Sequence, residues 1–147
     1  MKMVLLAFMV CFGFVACGEE IEPLKELQKG MPNTVTLSTG DVVYDISGEW
    51  DAIIEYGAHG GDQKDIVKIN QDGNKFTGII TIGHLTYEKG EELLNGELEK
   101  NGFKSIQRAS RYRGWVPNSG KIDESCKTII IKAKLSDGTY YTTLTRK

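Results

Sequence analysis

The sequence is poor in the groups that most enzymes and metal sites depend on. Histidine occurs twice, at His59 and His84, far apart and with no Cys or Asp at metal-ligand spacing. No Gly-x-Ser-x-Gly elbow, phosphate loop or paired-carboxylate context is present. These absences argue against catalysis, and no catalytic residue, metal or cofactor is expected. Net charge of one sign is also lacking: 18 basic side chains stand against 20 acidic ones, a formal −2. A phosphate-binding surface needs concentrated basic charge, so nucleic acid is not an expected partner. No stretch after Cys17 is apolar enough to span a bilayer. Proline occurs three times against seventeen glycines. That balance suits a turn-rich β protein better than a helical bundle, and the length of 147 residues suits one domain.

What is present at the start is an export pattern. Met1-Lys2-Met3 is a short basic opening, and Val4 to Ala16 is an uncharged apolar run too short for a comfortable transmembrane helix. The run ends in Phe14-Val15-Ala16-Cys17-Gly18, which resembles the lipobox of bacterial lipoproteins. The resemblance implies cleavage before Cys17, diacylglycerol on its sulfur and an acyl chain such as palmitate on the new amino group. Phe14 departs from the Leu usual three residues before the Cys. Acyl chains contribute roughly 0.8 kcal/mol per buried CH₂, enough together for a membrane anchor without a span. The expected address is therefore the bacterial cell envelope. Gly18 in place of Asp implies, by the enteric sorting rule, the periplasmic face of the outer membrane.

Cysteine use is consistent with that expectation. Cys11 would be removed and Cys17 would be a thioether, so Cys126 would be alone and no internal disulfide could form. A lone Cys at the head of an apolar strand reads as a small buried residue. The mature chain would carry 17 basic and 20 acidic side chains, because Lys2 is the one charged residue before Cys17. Residues 1–16 read as the signal peptide and 17–41 as the lipidated N-terminus and a linker, with Leu24 and Leu27 on one weak helical turn.

Period-two alternation takes over from residue 42 and marks the folded domain, 42–147. Trp50, Ala52, Ile54 and Tyr56 share one face of the first strong strand. Val67 and Ile69 mark a second strand over 66–71, and Asp72-Gly73-Asn74 turns it into a third with Phe76, Gly78, Ile80 and Ile82 aligned. Leu94, Gly96 and Leu98 align before Asn101-Gly102, the strongest hairpin signal in the chain. Residues 103–108 return from it, and 109–125 read as the longest irregular stretch. Ile129, Ile131, Ala133 and Leu135 form the next face, and Tyr140, Thr142 and Leu144 the last. Short turns between successive strands predict an all-β, up-and-down antiparallel meander. With about eight strands, closure into a small barrel removes both exposed edges.

Gly48-Glu49-Trp50 at the start of the first strong strand resembles the Gly-x-Trp signature of lipocalins, avidins and related calycin barrels. The resemblance implies a basic side chain from the last strand packed over the Trp, and Arg146 is in place for it. Gly48, Trp50 and Arg146 are thus expected to be structural. The domain is avidin-sized and lacks the lipocalin helix and disulfide. Two functions stay open. A barrel for a small apolar or amphipathic ligand would use interior residues such as Ile54, Tyr56, Ile80 and Tyr140. A protein-binding or structural envelope lipoprotein, inhibitor-like, would use an outer face or the Arg- and aromatic-rich stretch 108–115, with Arg111, Tyr112, Arg113 and Trp115 as the recognition group.

Overall fold

The computed structural model describes residues 32–55, 61–84, 86–100, 102–110, 114–136 and 138–147. The expected signal peptide, Cys17 and most of the expected linker lie outside the described residues, as do Tyr56 and His59. A first hairpin pairs β1 (Thr34–Thr36) with β2 (Val42–Tyr44). Its first strand falls within the stretch read from sequence as linker.

Eight further strands close a barrel: β3 (Gly48–Ile54), β4 (Gln63–Asp72), β5 (Lys75–Ile80), β6 (Glu92–Glu99), β7 (Gly102–Ser110), β8 (Gly114–Ile122), β9 (Thr128–Leu135) and β10 (Gly138–Arg146). Each pairs antiparallel with its sequence neighbours, and β10 pairs with β3 to close the ring. The fold is all-β and an up-and-down meander, consistent with a calycin-like barrel.

The registers show how alternation builds the core. Trp50 stands opposite Val67 and Arg146, Leu144 opposite Ala52 and Ile129, and Ile131 opposite Thr142 and Gly120. These inward positions form one hydrophobic cluster in which Trp50, Val67, Ile80, Leu94, Ile129, Ile131 and Leu144 are fully buried. Phe76 and Phe103 meet edge to face inside it, centroids 4.8 Å apart. Gly120 makes this possible, because a Cβ there would overlap the Phe103 ring.

The structure corrects the sequence at four strands. The stretch read as irregular over 109–125 contains β8, nine residues long. The second strong strand begins at Gln63 rather than 66, and the third ends at Ile80, leaving Ile82 outside it and exposed. Residues 108–110 and 114–115 are likewise strand, not loop. β8 escapes an alternation reading because its inward positions are Val116, Asn118, Gly120 and Ile122, where apolar, polar and small residues mix.

Candidate functional site

The two ends of the barrel are built differently. One end carries the β4–β5, β6–β7 and β8–β9 turns together with residues 45–47. Here Arg146 lies over the Trp50 ring, its guanidinium carbon 4.5 Å from the centroid, which is the contact the Gly-x-Trp resemblance implies. Its Nε donates to the Cys126 carbonyl at 3.0 Å, Nη1 to the Ser47 carbonyl at 3.1 Å and Nη2 to the Asp45 carbonyl at 2.6 Å. The Trp50 indole donates to the Ile46 carbonyl at 2.9 Å. Gly48 carries φ of 121°, a conformation closed to ordinary side chains, and so lets the chain turn sharply into β3 beneath Arg146.

The small hairpin packs on this same end. Gln71 ties it there: its Oε1 accepts from the Ile46 N–H at 2.8 Å and its Nε2 donates to the Tyr44 carbonyl at 3.1 Å. Cys126 is buried against Arg146 and the Asp45 carbonyl. Burial raises its thiol pKa, and the Arg146 guanidinium opposes that shift without cancelling it. The thiol stays protonated near neutral pH and packs rather than attacks.

From the middle of the barrel toward the opposite end, here called the mouth, polar side chains face inward. Gln63 and Asp65 come from β4, Ser105 and Gln107 from β7, Asn118 from β8 and Thr142 from β10. Gln107 Nε2 donates to Thr142 Oγ1 at 2.9 Å, a buried bond from β7 to β10. The Ser105 hydroxyl donates to Asn118 Oδ1. Five buried side-chain atoms find no hydrogen-bond partner among the described residues: Gln63 Nε2, Asp65 Oδ2, Gln107 Oε1 and Asn118 Nδ2 at inward positions, and Arg108 Nε on the outward face of β7. Such atoms each cost about 1–3 kcal/mol when left unmet in a folded protein. Asp65 and Gln107 are 4% and 6% exposed, so bulk water does not offset that cost.

The wall also parts at the mouth. The ladder between β8 and β9 stops at the Asn118–Ala133 pair, whereas β8 continues along β7 back to Gly114. Pro117, which has no N–H to give, sits at the parting. Asn118 and its unmet amide therefore stand at the last pair of the β8–β9 ladder.

Of the residues singled out in the sequence, Ile54 and Ile80 are buried on the inner face and Tyr140 is inward and half-buried. Arg111, Tyr112 and Arg113 lie outside the described residues. Trp115 is on the outer face of β8, 40% exposed, with the Arg108 guanidinium carbon 5.9 Å from its ring. Arg108 in turn pairs with Glu91 at 2.8 Å. The structure thus does not show Trp115 in a recognition loop, but on a strand. Sequence reasoning missed Gln63, Asp65, Gln107 and Asn118. Their only signal was polarity at inward positions of a strand, which is also how loops read. Among the described residues no group of three or more His, Cys, Asp or Glu could hold a metal ion.

No protein-family model matches the chain, and comparison with curated proteins and with solved structures likewise gave no match.

Proposed function

We propose that this is an exported, lipid-anchored protein of the bacterial cell envelope, held through Cys17, whose calycin-like barrel receives a small amphipathic ligand through its polar mouth. The observation that carries the reading is the set of buried amide and carboxylate atoms, unmet among the described residues, that lie between mid-barrel and one end of a largely apolar interior. Binding sites combine an apolar lining with a few convergent polar groups. The mouth offers that combination: Ile54 and Ala133 stand among Gln63, Asn118 and Thr142 in the registers. The unmet polar atoms favour an amphipathic ligand over a wholly apolar one. The role is binding rather than catalysis, and the outer membrane's periplasmic face is the address that Gly18 supports.

Native mass spectrometry of the protein purified from its own membranes tests both parts. The expected spectrum shows a chain beginning at a lipidated Cys17 and a small-molecule adduct lost on denaturation. An unmodified chain that retains residues 1–16 would contradict the anchor. A chain free of adduct under conditions that preserve the fold would contradict the ligand.

A further inference from the structure

Of the unmet atoms at the mouth, one restricts the ligand's chemistry. The amides of Gln63, Gln107 and Asn118 can turn over and present either a donor or an acceptor. The Asp65 side chain, when ionised, can only accept. Its Oδ1 already takes the Ile66 N–H at 2.7 Å and the Ile82 N–H at 3.3 Å. Its Oδ2 has no hydrogen-bond donor among the described residues, and the side chain is 0% exposed. A basic group within 4 Å among the described residues is His84, whose Nε2 lies 3.9 Å from Oδ2. That nitrogen is directed at the Lys64 carbonyl, which can only accept, so its N–H is spent there and not on Asp65.

A buried carboxylate oxygen is matched best by a donor that also carries positive charge, since charge-assisted hydrogen bonds are about twice as strong as neutral ones. We propose that the mouth takes an organic cation, an ammonium or guanidinium whose N–H donates to Asp65 Oδ2, with the mouth amides meeting its remaining polar atoms. The assignment rests on the reading of the barrel as a ligand-binding domain and names the head group that reading leaves open. A carboxylate or phosphate ligand is disfavoured for the same reason, because it would set a second acceptor against Asp65.

The test is calorimetric titration of the purified full-length protein with four probes of similar size: benzylammonium, benzylguanidinium, benzyl alcohol and phenylacetate. The two cations are expected to bind about tenfold or more tighter than benzyl alcohol, as one charged hydrogen bond implies, and phenylacetate weakest of all. Asp65→Asn keeps an oxygen for the two backbone N–H groups and is expected to abolish the preference for cations over benzyl alcohol. If that variant does not fold, the preference in the unmutated protein decides alone. Cations that bind no better than benzyl alcohol, or do not bind, overturn the assignment. If the native spectrum then still shows an adduct, the barrel reading stands without this head group; if it shows none, both fall.

Discussion

The two ends of the barrel spend their polar groups in opposite ways. At the Trp50 end each nitrogen of the Arg146 guanidinium donates to a carbonyl, and Nη2 also to the Cys126 sulfur. The indole of Trp50 is satisfied by Ile46, and both the oxygen and the nitrogen of the Gln71 amide are bonded. Toward the mouth three amides and a carboxylate each keep a buried atom without a partner among the described residues. A fold seeking stability alone would fill such positions with apolar residues, as it does for Val67, Ile129 and Leu144 at the other end. The contrast teaches that one end holds the barrel shut and the other keeps unmet polar atoms at a cost in stability, as binding sites do.

The contrast breaks most sharply at Trp50. Trp50→Ala removes the largest fully buried side chain, the cation–π contact and the Ile46 bond, and should cost about 3–5 kcal/mol in urea unfolding. Arg146→Ala should cost about 3 kcal/mol, because the guanidinium leaves three carbonyls without donors at once. Arg146→Lys should recover only part of this, since an ammonium lacks the planar fork. A smaller effect is expected at the β8–β9 turn. Burial pushes the Asp123 carboxyl pKa up, but hydrogen bonds from the Ser125 hydroxyl and from the backbone of Thr128, Lys127 and Ser125 outweigh it and hold it below its ordinary 3.8. A depressed carboxyl pKa adds stability above the unfolded-state value, and that stability is lost as pH falls through the folded value. Asp123→Ala should therefore lower the urea midpoint near neutral pH and lower it less below about pH 3. An equal loss at both pH values would show that the charge is not involved.

How legible each end was in the sequence follows the same division. The closed end announced itself: Gly48-x-Trp50, the Asp72-Gly73-Asn74 turn and the alternation through Phe76, Leu98 and Leu144 all obey local rules, and local rules are what a sequence displays. The mouth was hidden by what makes it a candidate site. Gln63 and Asp65 blurred the start of β4, so the strand seemed to begin at 66. Pro117, Asn118, Ser119 and Gly120 made β8 look like a loop. Inward polar residues break the apolar alternation by which strands are recognised, so a polar interior erases the signal of the strands that build it. The four residues named from alternation as interior ligand contacts were drawn from the apolar pattern, and the unmet polar atoms lie on other positions.

The division between the two ends is tested most directly by the melting temperature of the full-length protein carrying Gln107→Leu, Thr142→Val, Asn118→Leu and Ser105→Ala together. Apolar groups on both sides would remove two unmet buried atoms and both partners of two hydrogen bonds, leaving no new buried polar atom behind. The predicted midpoint lies within about 4 °C of the unmutated protein or above it. A fall of more than about 10 °C, the scale expected for losing Arg146, would show that the mouth residues hold the barrel together as the closed end does.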